Sequence, residues 1–232
     1  MISIITSLYR SDKYINNHIK NIDRVSRYLT INNTEHEFIL IFNEPDVYEN
    51  EIIKNLNNKE NIKIIICPRE NLYSTWNRGI KNSKYNNIAF WNVDDIRFGK
   101  AIINGLKKIQ SQYELVYFPF IYKRYIRISG IKILIKIKII PTVKYDQKLF
   151  IKHMYIGPFF ITKKEVFDKI GLFDESYKIA GDFEFAVRAA KKNIKFTHDN
   201  TLAGIFTNDG QTLSGKKDEL QKKENDKIVG KI

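Results

Sequence analysis

Five short apolar runs alternate with four amphipathic stretches up to Phe120, and that alternation restricts the fold more than any other feature of the chain. The strand-like runs are Ile2 to Thr6, Glu37 to Phe42, Ile62 to Ile66, Ile88 to Trp91 and Leu115 to Phe120. Between them, Asp12 to Leu29, Tyr48 to Asn57, Ser74 to Asn82 and Gly99 to Gln110 carry the spacing of helices with one apolar face. A β-α-β-α series predicts an α/β domain with a mixed, mainly parallel sheet and helices on both faces. The rhythm changes after Phe120. Ile131, Ile133, Ile135, Ile137 and Ile139 alternate with lysines and Leu134, which predicts a hairpin or edge strand with one apolar and one largely basic face. Two helices are expected to follow, Lys163 to Ile170, stopped by Gly171, and Asp182 to Lys192, with Phe185, Ala186 and Ala189 toward the core. The tail from Gly215 is mixed in charge and weakly apolar, and reads as a loosely held helix or a disordered segment.

A chain of 232 residues can bury one sizeable core, and 43% hydrophobic with 13% aromatic residues excludes a disordered protein. The single cysteine, Cys67, excludes an intrachain disulfide and suits a reducing, cytoplasmic setting. Ile2 to Leu8 lacks the basic flank and cleavage site of a leader, and Lys132, Lys136 and Lys138 interrupt the most apolar stretch. The formal charge of +13 is concentrated. Between Ile121 and Lys148 eight bases (Lys123, Arg124, Arg127, Lys132, Lys136, Lys138, Lys144, Lys148) face one acid, Asp146. Such a block meets nucleic acid, an anionic membrane surface or an acidic acceptor, or is simply a solvated sheet face. No nucleic-acid recognition motif accompanies it.

Trp91-Asn92-Val93-Asp94-Asp95 puts two adjacent carboxylates where an apolar run stops. Open α/β sheets place their ligands at the C-terminal ends of strands. Oxygen-only ligands there suit Mg²⁺ or Mn²⁺, which keep open positions for substrate phosphates; the bland alternative is that the pair caps the next turn. Asp182 follows Gly181 at the start of a helix, where the backbone dipole favours a charged carboxylate. It serves there as a helix cap or as a catalytic base.

Taken in order, Ile2-Ser3-Ile4-Ile5-Thr6-Ser7-Leu8-Tyr9, Asn77-Arg78-Gly79-Ile80, Asn92-Val93-Asp94-Asp95, and Gly171-Leu172-Phe173-Asp174-Glu175 followed by Gly181-Asp182-Phe183-Glu184 resemble family 2 glycosyltransferases over roughly residues 1–215. The resemblance implies a GT-A fold, with a nucleotide-sugar-binding half (1–120), an acceptor-binding half carrying the basic β insert (121–215) and a charged tail (216–232). It also implies transfer of a sugar, with inversion, from a nucleoside diphosphate donor to an acceptor hydroxyl. Surface polysaccharide, lipopolysaccharide or lipid-linked glycan synthesis is the implied setting, and within it the 121–148 charge cluster leads us to expect peripheral contact with the inner face of the membrane.

Residue by residue, the resemblance implies Mn²⁺ or Mg²⁺ at Asp94 and Asp95, with Asp95 the leading contact and Asp94 also in reach of the donor. The first acid of the aspartate-x-aspartate pattern is here Asn92, which hydrogen-bonds without charge. Asp182 matches the base, and Asp174, Glu175 and Glu184 lie on the acceptor side, Glu184 with Arg188 available at i+4. Thr6 and Tyr9 match the strand end against the nucleobase, with Tyr9 alternatively a core aromatic. Asn43 and Glu44 stand where the family carries aspartates, and could accept from uracil or guanine; a UDP-sugar is the expected donor. Asn77 and Arg78 belong to the donor-side turn, Arg78 touching phosphate or standing as an exposed helix arginine. Asp209-Gly210-Gln211-Thr212-Leu213-Ser214 is similar to a site-closing turn. Two rivals stay open: a catalytically impaired GT-A-like nucleotide binder, and a basic polyanion-binding protein.

Overall fold

The computed structural model describes residues 1–129, 131–210 and 218–230. The first half follows the expected alternation: β1 (Ile2–Leu8), α1 (Asp12–Ile31), β2 (His36–Asn43), α2 (Val47–Leu56), β3 (Ile62–Cys67), α3 (Leu72–Asn82) and β4 (Asn87–Phe90). Then come β5 (Ile96–Arg97), α4 (Gly99–Ser111), β6 (Leu115–Tyr117), β7 (Phe120–Ile128), β8 (Ile131–Ile140) and α5 (Gln147–Phe150). The chain continues with β9 (Ile161–Lys163), α6 (Glu165–Ile170), α7 (Gly181–Lys191), β10 (Phe196–His198), β11 (Gly204–Asn208) and α8 (Asp218–Val229).

Among the described residues the larger sheet has the order β10-β6-β9-β4-β1-β2-β3. Strands β3, β2, β1 and β4 are mutually parallel, and β9 is antiparallel to both β4 and β6. The chain moves outward from β1 to β3 and returns across β1 to β4. Strand order therefore reverses between β1 and β4, where open sheets leave a crevice at their C-terminal edge.

Period-two alternation divides the core. On β1 and β2, Ile5, Ile39 and Ile41 face α3, α6 and α7, while Ile4, Leu8, Phe38, Leu40 and Phe42 face α1, α2 and α4. Both faces are covered, which is why these strands read as continuous apolar runs.

Four expectations change. Leu115 to Phe120 is two strands in two sheets, because Pro119 has no amide proton to continue a ladder. The helix expected from Lys163 begins at Glu165, since Ile161–Lys163 is drawn into the sheet between β4 and β6. The hairpin forms as β7 and β8, with β8 at the edge of a four-stranded sheet, β5-β11-β7-β8, but its faces are mixed. Tyr125 pairs with Leu134 and Arg124 with Lys136, so Ile135 is an extra residue and the alternation on β8 inverts there. Ile131 and Ile133 consequently share a face with Lys136 and Lys138, and Lys132 joins the other face.

The tail also differs. Helix α8 packs on α7, with Ile228 in the core. Glu224 is buried and accepts the amide protons of Lys178, Ile179 and Ala180 at 2.9, 3.0 and 2.9 Å, fixing the segment that leads into α7. Glu224→Ala leaves these donors unmatched and is expected to lower stability by about 2–3 kcal/mol. The reading is a denaturant midpoint shift at constant slope. A loss below about 0.5 kcal/mol, the size of an ordinary surface change, would show that α8 does not hold this segment.

Candidate active site

The end of β4 is pinned before the acids begin. Trp91 is fully buried, its amide donates to the Ile5 carbonyl at 2.9 Å, and its indole N–H donates to the Asp95 carbonyl at 3.0 Å. Asp95 is thereby drawn inside, 2% exposed. Its Oδ1 accepts from the Thr207 amide of β11 at 2.9 Å and its Oδ2 from the Asn92 amide group at 3.2 Å. Burial, and next the charge of Asp94, hold its carboxyl well above the usual range. Arg97, also buried, is the nearby cation and donates to the carbonyls of Phe90 and Phe159 at 2.7 and 3.0 Å.

Asp94 is only partly buried. Its carboxyl is pushed up to about 6, first by burial and then by the charge of Asp209, with Lys132 opposing. Asp209 itself is enclosed. It accepts from the Tyr14 hydroxyl at 2.7 Å and pairs with Arg127 and Lys132 at 3.5 and 3.6 Å. The hairpin therefore delivers two cations to the mouth of the β4 turn.

No group of three or more His, Cys, Asp or Glu among the described residues is arranged to hold a metal ion. A Mg²⁺-like ion, however, is commonly bound by one or two carboxylates together with substrate phosphates. Asp94 fits that pattern, because a cation would offset the charge that burial and Asp209 make costly. Asp95 fits less well as the leading contact, since both its oxygens already accept from the protein.

On the donor side the sequence-predicted residues separate. Tyr9, partly exposed at the end of β1, lies under Arg69 and Arg10, at 4.6 and 5.3 Å from ring centroid to guanidinium. Glu44 is exposed beyond β2 with φ of 55°, its amide bound to the Cys67 carbonyl. Thr6 points into the core, 3.1 Å from His18 Nε2. Asn43 closes a reciprocal pair with the Glu70 backbone at 2.7 and 2.7 Å. The Asn77 side chain bonds both backbone groups of Phe173 and the Glu175 carboxylate, and Arg78 pairs with Glu70. As folded, the side chains of Thr6, Asn43 and Asn77 each bond to other protein groups.

Asp182 opens α7. Its Oδ1 accepts from the Phe183 amide at 2.9 Å and lies 3.4 Å from the Tyr73 hydroxyl, which donates to the Ile179 carbonyl at 2.5 Å. Burial lifts its carboxyl to about 6, against the hydrogen bonds that favour the charged form. Gly181 permits this approach, since a Cβ there would lie 2.6 Å from the Tyr73 ring. Tyr73 is in the first turn of α3, just past the C-terminal end of β3, so Asp182 shares the sheet edge with Asp94.

Asp174 takes the Ser176 amide in a local turn. Glu184 binds Arg188 through two bonds, 2.6 and 2.9 Å, and Arg188 also donates to the carbonyls of Ile170, Gly171 and Leu172, so this pair ties α7 to the preceding turn. Gly210 is described, whereas residues 211–214 of the expected closing turn lie outside the described residues.

Arg69, Tyr14, Tyr73 and Glu224 were not foreseen. Arg69 and Tyr14 follow β3 and β1, so the strand-end rule could have found them.

The molecule resembles solved structures over nearly its whole length. S. aureus TarS residues 1–349 superimpose with a TM-score of 0.66 at 16% identity, covering 98% of this chain and 69% of that one. The same protein in complex with UDP-GlcNAc gives 0.68 at 14%, covering 99% and 70%. The mannosyltransferase PcManGT from Pyrobaculum calidifontis, in complex with GDP-Man and Mn²⁺, gives 0.60 at 10%, covering 88% and 56%. No curated protein matches. These likenesses establish the GT-A fold. The model of Glycosyl transferase family 2 matches residues 3–171, which include β1, the β4 turn and the Asn77 brace, and the chain belongs to that family.

Proposed function

We propose that this protein is an inverting, metal-dependent glycosyltransferase that moves a sugar from a UDP-sugar to a hydroxyl of a glycan or lipid-linked acceptor, in surface polysaccharide, lipopolysaccharide or lipid-linked glycan assembly. The observation that carries the reading is the pair of partly buried carboxyls, Asp94 after β4 and Asp182 beside Tyr73 at the start of α3, both lifted to about 6 and both on the C-terminal side of the parallel strands. Separate acids in separate environments on the ligand-binding edge of a sheet suit acid–base and charge-stabilising chemistry.

In this reading Tyr9 offers its ring to the nucleobase, with Arg10 and Arg69 keeping the entrance cationic and Glu44 free to accept from a base N–H. A divalent cation held by Asp94 would offset the negative charge that grows on the departing diphosphate. Asp95, Asn92 and Arg97 fix the turn that presents Asp94. Asp182 takes the proton of the acceptor hydroxyl as its oxygen bonds to the anomeric carbon, while the bond from that carbon to the diphosphate oxygen breaks on the opposite face. Tyr73 and Glu224 hold the Asp182 segment in place.

Thermal denaturation with UDP, GDP and their sugars, each with and without Mn²⁺, tests the donor. UDP with Mn²⁺ is expected to raise the melting temperature by several degrees, because a ligand that binds only the native state stabilises it by about 2.7 kcal/mol at a hundredfold its Kd. A shift with GDP alone would move the donor assignment to guanine. No shift with any nucleotide would refute the reading.

A further inference from the structure

We propose that the β7–β8 hairpin is a docking surface for an anionic lipid bilayer. Of the sixteen large hydrophobic side chains that stand exposed among the described residues, eight lie between Ile126 and Ile139. Their exposure runs from 38% at Ile126 to 67% at Ile131. Four of them, Ile126, Ile128, Ile131 and Ile133, stand on one face of the hairpin, and soluble surfaces rarely gather neighbouring exposed aliphatic side chains without a use for them. The bulge at Ile135 arranges that face. Across that point one face carries the cross-strand pairs Ile128–Ile131 and Ile126–Ile133 before the bulge and Arg124–Lys136 and Tyr122–Lys138 after it. Aliphatic groups and ammonium or guanidinium groups thus share one surface, as in segments that lie flat in a lipid interface with the apolar part below the headgroups.

Charge selects the occupant. Residues 121–148 hold eight bases and one acid, and juxtamembrane bases gain from an anionic leaflet. A second copy pairing along the free edge of β8 would set Lys132, Lys136 and Lys138 against their own equivalents, with no acid on the strand to answer them. Single-stranded nucleic acid wants flat aromatic platforms, whereas Tyr122 lies against Phe206 and under Lys138, and Tyr125 lies under Lys132. Among the described residues no helix is long and apolar enough to cross a membrane, so contact of this kind would be at the surface. The opposite hairpin face carries Arg127 and Lys132 to Asp209. Docking would therefore set the cleft beside the bilayer, where a lipid-linked acceptor is held.

The full chain should be sedimented with phosphatidylcholine vesicles and with vesicles containing about one-third phosphatidylglycerol, without nucleotide. Partition onto the anionic vesicles is expected to be at least about tenfold stronger and to weaken with salt. Ile128→Ser/Ile131→Ser, both exposed and on the hairpin face opposite the one that carries Arg127 and Lys132 to Asp209, should reduce it at least about tenfold. An Ile131→Trp variant should show a blue-shifted emission on anionic vesicles only. Equal partition to both vesicles, partition to neither, or an unchanged double variant would overturn the proposal. So would RNA binding without vesicle binding, or a dimer that the double variant abolishes. Because no nucleotide is present, failure here leaves the donor-site reading untouched, and failure of that reading leaves this one standing.

Discussion

Asp182→Asn is expected to lower kcat by about 10³-fold, within the range that removal of a positioned base produces. The amide keeps an oxygen that accepts from the Phe183 amide, and the Tyr73 hydroxyl still donates to the Ile179 carbonyl, so the segment between Ile179 and α7 stays in place. What is lost is the ability to take a proton. Burial lifts the Asp182 carboxyl to about 6, the nearby Glu224 carboxylate adds to the rise, and the Phe183 amide and the Tyr73 hydroxyl oppose it. The wild-type rate should rise with pH through about 6 and then level, a limb that the variant lacks. Stability should move the other way. A carboxyl whose native value lies above the unfolded one favours the native state at low pH, and that contribution fades as pH rises from about 4 to about 6. Asp182→Asn should therefore come close to the wild type near pH 4 and exceed it by about 2–3 kcal/mol at pH 8. A variant that is both slow and unstable at pH 8 would mean the carboxylate is a helix brace. One with wild-type turnover would remove Asp182 from the chemistry.

The same residues mark what the sequence could convey. Asp182, Asp94 and Asp95 were visible because each ends or begins an element whose periodicity is strong: Ile88 to Trp91 is too apolar to be anything but buried, and Gly181 precedes a clear helix. Parallel order followed from helices alternating with runs buried on both sides. Lost were the facts that depend on a partner distant in sequence. Asn77 reads as a cleft residue until Phe173, 96 positions away, takes both ends of its amide. Asn43 is consumed by Glu70 in the same way, 27 positions on. Glu224 sits in a segment whose composition is that of a solvated tail, and only its three amide partners give it a role. Strand β9 is three residues long, too short for a period, and was hidden in the approach to a helix. The hairpin was legible and its faces were not, because one unpaired residue inverts every side chain beyond it and leaves no mark in the alternation.

The contrast between Asp94 and Asp95 yields the second large effect. Asp94→Asn should lower kcat/KM by about 10²–10³-fold, comparable to removing one group that stabilises developing charge. It should also abolish the part of the UDP-dependent thermal shift that requires Mn²⁺, because Asp94 is the carboxylate of the pair that remains partly open to the cleft. Asp95→Asn acts differently. Its carboxyl accepts from the Thr207 amide and the Asn92 amide group, so the substituted side chain would set its own NH₂ group against one of these donors. A buried donor left unmatched in this way typically costs about 1–3 kcal/mol. Asp95→Asn is accordingly expected to lower the melting temperature before any ligand is added, while whatever remains folded still responds to Mn²⁺ with UDP. The reverse pattern, a stable Asp95→Asn blind to metal beside an Asp94→Asn with the full metal-dependent shift, would give the ligand role to Asp95. A metal-independent shift in the wild type would instead place the diphosphate against Arg127 and Lys132, the two cations that the hairpin already holds at Asp209.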